Sequence, residues 1–396
     1  MSMSNFLIIK KKIKEFNKKI IVSGDKSLSI RWILFASLAN GISQAQNLLI
    51  SEDVMAAISA IKKLGIKVEL KKNICKIYGK GIDGYNYKNN ITLDAKNSGT
   101  LGRLILGFLI NSQNPIKIIG DKSLSKRDFK RIAEPLSKFG AKFKLRKNKY
   151  LPLIIKGSAN LKPINYLENK GSAQCKSALI FAGMRTKGTT FIKAKQSRNH
   201  TELLCKHLKL PIKFYKKNNY DFIKVKKVNR INKLNYKIPS DISSGAFFMV
   251  LTALSKNSKL LIKNVNINPS RSGIITILKK MGVKIKLKNK KIYKGEKNAD
   301  IEIKSTKNIS SINCPSSLNT SAIDEFLLIF LVAAKAKGTS YFRDLSELNQ
   351  KESPRLLWGA KILNKIGIKT IVNNNSIKIF GNPNLILNKK IVIKNF

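Results

Sequence analysis

One short phrase recurs along the chain and limits the folds that the chain can adopt. Each copy combines the end of an amphipathic helix with an alternating strand. Four close copies, each with a glycine at the junction, lie at 61–70, 136–145, 278–287 and 363–372, and a looser copy spans 204–215. Glycine is typical of a helix terminus, and alternation predicts a half-buried strand. Recurrence at about 70 to 80 residues predicts a chain of similar supersecondary units.

A second phrase opens each unit with small residues that run into an apolar helix. Its copies begin at Lys26, Ser98, Gly171, Ser243 and Ser321. Small residues at a helix start leave backbone N–H groups open to an anion. After each of these helices we expect a strand, a second helix and a pair of strands. The pattern therefore predicts an α/β (α+β) chain with five complete units.

The last repeat is followed by the segment 389–394, KKIVIK, which reads as a strand leading into a sixth unit. The chain ends two residues later. We therefore expect a sixth unit that is largely missing. The alternative is an architecture of five units.

The formal net charge is +55, from 77 Lys and Arg against 22 Asp and Glu. A charge of this size suggests nucleic-acid binding. The lysines, however, are spread over the whole chain, and abundant Lys, Asn and Ile indicate A/T-rich codon usage acting on a solvated surface. We therefore expect no nucleic-acid partner, although a positive field would attract anionic substrates. The scarce arginines carry more information than the lysines.

Several classes of protein are disfavoured by the sequence. No apolar run reaches the roughly 18 residues of a membrane-spanning helix, and residues 1–12 lack the pattern of a secretory signal. We therefore expect a cytoplasmic protein with no membrane partner. The four cysteines are widely spaced and form no CxxC pair, so we expect buried free thiols and no metal site.

Two segments near helix starts are almost the same. Residues 24–31 read GDKSLSIR and residues 120–127 read GDKSLSKR. Each offers a lysine, two serines and an arginine beside a predicted helix N-terminus. These groups suit a phosphate or a carboxylate, although a repeated surface turn is the alternative.

Motifs in a fixed order resemble the EPSP (5-enolpyruvylshikimate-3-phosphate) synthase family, from about residue 20 to the end of the chain. They lie at 24–31, 97–103, 120–127, 171–178, 197–202, 322–326 and 351–356. The resemblance implies the two-domain enolpyruvyl transferase fold of repeated βαβαββ units, with the active site between the domains. We expect the first domain at 20–240. The second would combine 1–19 with 241–396 and lack its last unit.

The resemblance also implies site residues. Shikimate 3-phosphate would be bound by Lys26, Ser27, Arg31, Ser172, Ala173, Gln174, Arg198, Asp324 and Lys351. Phosphoenolpyruvate would be bound by Lys26, Gly99, Arg127, Gln174 and Arg355. Bulk at Gly99 would intrude on phosphoenolpyruvate, and the family's inhibitor glyphosate occupies the same space.

The resemblance assigns the chemistry to Asp324, Glu352 and Lys26. The two carboxylates would move protons, with Asp324 at the substrate hydroxyl. The sequence departs from the family at Asp128 and Pro354, where proline and aspartate are usual. The family's last segment carries a D-H-R motif and a lysine that contact phosphoenolpyruvate, and we find neither here, so two cations of that site would be missing.

The implied reaction adds a hydroxyl of shikimate 3-phosphate to phosphoenolpyruvate and needs no cofactor and no metal. Both substrates are strongly anionic, so fixed cations are required to bring them together in a dry cleft. Arginine suits two-point contact with carboxylate or phosphate. We expect a monomer in the shikimate pathway.

Other interpretations remain open. The chain could be a relic that binds shikimate 3-phosphate without turnover, or a UDP-N-acetylglucosamine enolpyruvyl transferase. The latter family commonly carries a cysteine acid in a mobile loop, and no cysteine lies between 114 and 127. If each residue is considered alone, the ordinary expectation is that a Lys or Arg is a surface charge, that Asp324 caps a helix and that Glu352 belongs to a weak surface ion pair. The functional interpretation depends on the whole set of motifs.

Overall fold

A computed structural model describes residues 13–350 and 353–387 of the chain. The helices in these ranges are α1 (Lys26–Ser37), α2 (Glu52–Lys63), α3 (Gly99–Phe108), α4 (Lys130–Ser137), α5 (Ala173–Arg185), α6 (His200–His207), α7 (Ile242–Leu254), α8 (Gly273–Lys280), α9 (Asn319–Ala322), α10 (Phe326–Ala334) and α11 (Arg355–Lys365). Short 3₁₀ turns lie at Leu124–Lys126, Ser316–Leu318 and Ser346–Gln350. Lys351, Glu352 and the predicted strand at 389–394 lie outside the described residues.

The strands of the same ranges form five sheets. They are β1 (Asn17–Ile20), β2 (Asn40–Gln46), β3 (Lys67–Lys71), β4 (Ile74–Lys80), β5 (Thr92–Asp94), β6 (Ile116–Ile119), β7 (Lys142–Arg146), β8 (Tyr150–Lys156), β9 (Asn165–Glu168), β10 (Thr189–Lys195), β11 (Ile212–Lys217), β12 (Tyr220–Lys226), β13 (Tyr236–Lys237), β14 (Lys259–Asn266), β15 (Lys284–Tyr293), β16 (Glu296–Lys304), β17 (Gly338–Phe342), β18 (Thr370–Val372) and β19 (Ile377–Gly381).

Four of the sheets share one strand pattern. Their orders are β13-β2-β4-β3, β5-β6-β8-β7, β9-β10-β12-β11 and β1-β14-β16-β15. In each, the first pair is parallel and the other pairs are antiparallel. The fifth sheet is β17-β19-β18, and parallel bridges from Ser310 and Asn313 run beside β17. A parallel pair needs a crossover, and α3 and α5 supply it for β5-β6 and β9-β10. In β13-β2 and β1-β14 the paired strands are distant in the chain.

The repeated phrase marks the junction between the second helix of a unit and the following strand. The five copies lie at α2–β3, α4–β7, α6–β11, α8–β15 and α11–β18. In the close copies the junction glycine has φ of 84° at Gly65, 111° at Gly140, 88° at Gly282 and 87° at Gly367. Lys209 takes φ of 55° at the same place in the looser copy. A left-handed terminus is thus kept where the glycine is absent.

The apolar residues form two separate hydrophobic cores. The first core gathers residues between Leu28 and Ile238, and the second gathers Val22 with residues from Ile242 to Ile379. Phe108 and Phe181 stack at 4.1 Å in the first core, and Phe35 packs edge-on against both. Helices α1 and α5 are buried around their whole circumference, as expected for central helices.

The chain crosses between the two cores twice, and the crossings lie side by side. The early strand β1 pairs with β14 beside the second core, whereas the late strand β13 pairs with β2 beside the first. The connecting segments are joined by hydrogen bonds from the Asp25 N–H to the Pro239 carbonyl at 2.8 Å and from the Asp241 N–H to the Ser23 carbonyl at 2.9 Å. These crossings bring the starts of α1 and α7 together.

Two predicted helix starts are displaced, because the helices that follow them, α4 and α10, begin only at Lys130 and Phe326. The first GDKS segment opens α1, but the second forms the 3₁₀ turn Leu124–Lys126, and Arg127 after it is extended. The first copy continues with apolar residues that enter the core, whereas the second continues with Lys126 and Asp128, so no buried face propagates the helix. Likewise Ser321 lies near the end of α9, and the apolar helix α10 begins only at Phe326.

Two further expectations concern burial. All four cysteines are free and buried, which confirms the prediction for them. Among the described residues, no helix combines the length and the apolar character needed to cross a membrane.

Candidate active site

The starts of α1 and α7 place two capping carboxylates beside each other. Asp25 accepts from the backbone N–H of Leu28 at 2.9 Å, and Asp241 accepts from that of Ser243 at 2.7 Å. Asp241 also accepts from the backbone N–H of Lys26 at 3.0 Å. Both carboxylates are buried, and the positive ends of the two helices stabilise them.

Asp324 lies next to these helix starts among three arginines. Its Oδ2 accepts a hydrogen bond from Arg198 Nη2 at 2.5 Å and lies 3.4 Å from Arg271 Nη1. Its Oδ1 lies 3.2 Å from Arg355 Nη1. Arg198 precedes α6 beside the first core, while Arg271 and Arg355 belong to elements of the second core. The structure therefore brings predicted residues Asp324, Arg198 and Arg355 together where the two cores meet.

Arg271 was not predicted as a site residue. Its Nη2 donates to the Ser243 hydroxyl at 2.9 Å and lies 3.2 Å from Asp241 Oδ1, and its Nε lies 3.8 Å from Asp25 Oδ2. Burial lowers the pKa of Arg271, but Asp241 and Asp25 raise it more, so the net pKa lies above its usual value. The sequence offered one signal for Arg271: it is one of the few arginines of the chain, and it lies in a loop of small residues before α8.

Glu325 is the second residue that sequence reasoning missed. It is buried, and the hydroxyl of Ser243 donates to its Oε1. Burial raises the pKa of Glu325 and the charge of Asp324 adds to that effect, while Arg271 opposes it. The adjacent Asp324 and Glu325 thus have different surroundings: arginine side chains contact Asp324 directly, whereas Glu325 accepts from the Ser243 hydroxyl.

The predicted residues of α1 have distinct environments. The Lys26 ammonium is half-exposed and lies 3.0 Å from Asp53 Oδ2. Arg31 is buried and donates from Nε to Thr201 Oγ1 at 2.8 Å and from Nη1 to the Ser27 carbonyl at 3.1 Å. Burial lowers the pKa of Arg31 to about 10. Arg31 therefore lies behind the surface that Lys26 occupies.

A second group of predicted residues forms around the start of α3. Arg127 donates from Nη2 to the side-chain oxygen of Asn97. A Cβ added at Gly99 would lie 3.1 Å from Arg127 Nη1. Gln174 accepts from Arg103 at 2.5 Å and donates to Thr100 at 3.1 Å. The predicted phosphoenolpyruvate residues Gly99, Arg127 and Gln174 therefore lie around one helix start.

The remaining predicted residues, Ser172 and Ala173, begin α5. Ser172 caps the helix by accepting from the Cys175 N–H at 3.2 Å, and its own N–H donates to Glu168 at 3.0 Å. Ala173 is the first helical residue. Gln174 on the same turn connects this helix start to that of α3. Lys351 and Glu352 lie outside the described residues, and their predicted roles are untested.

A buried polar cluster ties the loop that carries Arg198 to the second core. His200 Nδ1 lies 2.7 Å from Glu296 Oε1, and Asn266 and Asn268 donate to Glu296 Oε2 at 3.0 and 3.1 Å. Asn268 also donates to Asn199 at 2.9 Å. We call His200, Glu296, Asn266, Asn268 and Asn199 the latch cluster. It holds the segment next to Arg198 against β14 and β16.

The described residues contain no group of three His, Cys, Asp or Glu side chains placed to hold a metal ion. The candidate site is instead rich in cationic and hydrogen-bonding groups. Arg198 and Arg355 contact Asp324, Lys26 begins α1, and Arg127 lies beside the start of α3. Such an arrangement suits anionic ligands together with a proton transfer.

Comparison with known proteins identifies the family. A sequence model of the EPSP synthase (3-phosphoshikimate 1-carboxyvinyltransferase) family matches residues 10–388. The chain belongs to the EPSP synthase family. A 3-phosphoshikimate 1-carboxyvinyltransferase of Caldicellulosiruptor bescii is 38% identical over 93% of this chain and 84% of its own length. A protein of the same name from Ruthia magnifica is 39% identical over 96% of this chain and 85% of its own length.

Solved structures agree with that assignment. An EPSP synthase from Acinetobacter baumannii superposes with a TM-score of 0.82 at 35% identity, covering 93% of this chain and 82% of that one. The enolpyruvyl transferase NikO from Streptomyces tendae reaches a TM-score of 0.69 at 13% identity, over 92% of this chain and 82% of its own. The second likeness concerns the fold alone. The predicted enolpyruvyl transferase fold is confirmed.

Proposed function

We propose that this member of the EPSP synthase family transfers the enolpyruvyl group of phosphoenolpyruvate to the 5-hydroxyl of shikimate 3-phosphate, releasing phosphate. The observation that carries the proposal is the Asp324 carboxylate held by three arginines where the two cores meet. Family membership supplies the reaction, and this arrangement supplies a proton acceptor beside cations for two anions. The enzyme would act in the shikimate pathway.

The cations divide between the two substrates in this proposal. Shikimate 3-phosphate would lie against Lys26, Ser27, Arg31, Ser172, Ala173, Gln174, Arg198, Asp324 and Lys351. Phosphoenolpyruvate would lie against Lys26, Gly99, Arg127, Gln174 and Arg355. Support comes from the short contacts that group Arg198 with Arg355 and Arg127 with Gly99. Buried Arg31 would require a local opening or would act through Ser27, to which it donates.

Asp324 and Glu352 would carry the proton transfers, with Lys26 at the reacting phosphoenolpyruvate. In the addition, the hydroxyl oxygen would bond to C2 of phosphoenolpyruvate, Asp324 would receive the hydroxyl proton and Glu352 would donate a proton to the methylene carbon. In the elimination, the bond between C2 and the phosphate oxygen would break, Glu352 would take a proton back from the new methyl group, and the proton on Asp324 would pass to the leaving phosphate. Proton transfer of this kind contributes roughly a hundred- to ten-thousand-fold in rate.

The two cores support a division into two domains, at 20–240 and at 1–19 with 241–396. Substrates bound between them would contact Lys26 and Arg198 from the first domain and Asp324 and Arg355 from the second. Desolvation between two closing domains would strengthen each ion pair. The monomeric state, the cytoplasmic location and the lack of a nucleic-acid partner stay predictions.

The test mixes the purified chain with both substrates and follows phosphate release and the mass of the product. Asp324→Asn should lower kcat by about a hundred- to ten-thousand-fold. Asp83→Asn is the matched control, since Asp83 is an exposed carboxylate that pairs with the buried Arg185 at 2.9 Å. It should leave kcat unchanged.

Each other outcome has a distinct meaning. Binding of shikimate 3-phosphate without turnover would reject the transferase proposal and favour the binding relic. Turnover that persists in Asp324→Asn would reject the role of Asp324 while leaving the reaction in place. Equal losses in Asp324→Asn and Asp83→Asn would attribute the effect to charge removal in general.

A further inference from the structure

The three arginines around Asp324 differ in their exposure. The side chain of Arg271 exposes 5% of its surface, against 18% for Arg198 and 21% for Arg355. Arg198 and Arg355 can therefore reach a ligand that enters between the cores. Arg271 lies behind Asp324, on the side of the crossing segments.

Arg271 connects Asp324 to both helix starts at those crossings. Its Nη1 lies 3.4 Å from Asp324, its Nη2 lies 3.2 Å from Asp241, and its Nε lies 3.8 Å from Asp25. The Ser243 hydroxyl accepts a further bond at 2.9 Å. A planar guanidinium held at this many points has little freedom to rotate. The contact with Asp324 is thus built into the protein.

The other two arginines have competing partners in the proposed reaction. Arg198 would turn to the phosphate of shikimate 3-phosphate, and Arg355 would turn to phosphoenolpyruvate. An arginine paired with a substrate oxyanion holds Asp324 less firmly. Two anionic substrates would at the same time favour the protonated form of Asp324, which could no longer accept the hydroxyl proton.

We propose that Arg271 is a positioning residue for the enolpyruvyl transfer: it stays on Asp324 when the substrates draw Arg198 and Arg355 away, and keeps that carboxylate ionised and oriented. The inference rests on the proposed function for its substrates. It adds a residue that does not itself touch them. Among residues 13–350 and 353–387, the charged groups facing this centre include Arg198 and Arg355 around Asp324, and Asp25, Asp241 and Glu325 around Arg271.

The local charges support a permanent cation at this position. Burial lowers the pKa of Arg271, and Asp241 and Asp25 raise it by more, so the guanidinium keeps its proton. Burial raises the pKa of Glu325, which reduces the competition from that neighbouring carboxyl. Without Arg271, Asp324 would face the bound anionic substrates with the Asp241 and Asp25 carboxylates behind it.

The kinetic test compares Arg271→Gln and Arg271→Lys with the wild type. In Arg271→Gln we expect kcat to fall about a hundredfold, and the acid limb of the kcat–pH profile to move up by about one pH unit. KM for each substrate should change less than about threefold. Arg271→Lys keeps the charge and should restore the acid limb with a smaller recovery of kcat.

Arg185→Gln is the matched control, because Arg185 is a buried arginine that pairs with Asp83 and Asn111. It should leave the pH profile unchanged, and thermal unfolding shows how much of each variant is folded. A lower kcat with an unmoved acid limb, or a raised KM with an unchanged kcat, would overturn the positioning role.

A second measurement needs no turnover. Aspartate labelled with carbon-13 at its carboxyl is titrated by NMR, and Asp324→Asn assigns the signal. With saturating shikimate 3-phosphate, Arg271→Gln should raise the titration midpoint of Asp324 by about one pH unit, whereas Arg198→Gln should change it little. Equal midpoints in the wild type and Arg271→Gln would reject the inference. If the midpoint of Asp324 differs between the wild type and Arg271→Gln as expected, but the wild type shows no turnover, only the proposed function is rejected.

Discussion

At the scale of single residues, buried charge is matched by buried charge. Lys176 is fully buried, and its ammonium lies 2.7 Å from Glu202 and 2.5 Å from Asp221. Burial lowers the pKa of Lys176, but the two carboxylates raise it more, and the net pKa lies above its usual value. Lys176 lies two residues after the predicted site residue Gln174 on α5, but its buried ion pairs belong to the part of the chain that forms the first core.

Lys176→Met should therefore destabilise the fold. The change leaves the Glu202 and Asp221 carboxylates buried without their cation, which costs about 3–5 kcal/mol. Urea unfolding measures the loss. Lys170→Met is the control, since Lys170 is exposed and its replacement should cost less than about 0.5 kcal/mol. A loss below about 1 kcal/mol for Lys176→Met would contradict the prediction.

Gly99 gives a second prediction at this scale. An added methyl group in Gly99→Ala would lie 3.1 Å from Arg127 Nη1 and should raise KM for phosphoenolpyruvate by about tenfold. The unfolding temperature should not fall, because alanine is favoured over glycine within a helix. Gly245→Ala is the control, since its Cβ would meet Ile262 at an ordinary 3.7 Å. An unchanged KM in Gly99→Ala would show that Gly99 does not border the phosphoenolpyruvate site.

At the scale of elements, the site depends on how helix starts and loops are joined. The apolar helices α1 and α7 begin side by side because β1 and β13 pair with sheets of the opposite halves of the chain. The latch cluster then fixes the loop before α6 against β16. The contacts that hold Arg198 near Asp324 thus involve α6, β14 and β16.

Glu296 makes the latch cluster sensitive to acid. Burial raises the pKa of Glu296. His200 and the hydrogen bonds from His200, Asn266 and Asn268 lower it by more than burial raises it, so the net pKa lies below its ordinary 4.5. A carboxyl with a lowered pKa in the folded state stabilises the protein above its unfolded pKa. This contribution is lost as the pH falls through the folded pKa.

Glu296→Gln should therefore destabilise the protein by about 1–3 kcal/mol at pH 7. The difference from the wild type should shrink as the pH falls below about 4.5. Denaturant unfolding between pH 7 and pH 3 measures both. Glu134→Gln, at an exposed position, is the control and should show no such difference. A difference that stays constant with pH would show that the ionised carboxylate is not what stabilises the cluster.

At the scale of the whole molecule, the net charge of +55 should shape stability and substrate capture. Self-repulsion destabilises a compact chain of one dominant sign, and salt screens it. We expect the unfolding temperature to rise between about 20 and 300 mM NaCl, where the Debye length shortens. A neutral osmolyte at matched osmolality is the control. An unfolding temperature that falls with salt would show that attractive pairs dominate.

The same field acts on the anionic substrates. Raising the salt concentration should increase KM for both substrates while kcat changes little, because screening weakens the attraction before binding. Steady-state kinetics over the same salt range measure this. Equal effects of salt on kcat would place the influence of charge within the site rather than in the approach to it.

The order of elements and the family followed from local patterns. The junction phrase predicted where α2, α4, α8 and α11 end, because a left-handed terminus favours glycine whatever surrounds it. The motif order predicted the enolpyruvyl transferase fold, and most of the residues now found around Asp324 and Gly99. Local pattern was less precise at 120–127, where a 3₁₀ turn forms and the helix begins only at Lys130.

Which charges meet depends on the folded chain. The repeats predicted an α/β chain, and the resemblance of short motifs to those of the family predicted Arg198, Asp324 and Arg355 as site residues. The sequence could not show that Arg271 and Glu325 join them, because these contacts span distant segments and depend on two crossings between the cores. Ion pairs form through distance and desolvation, and neither is written in local sequence.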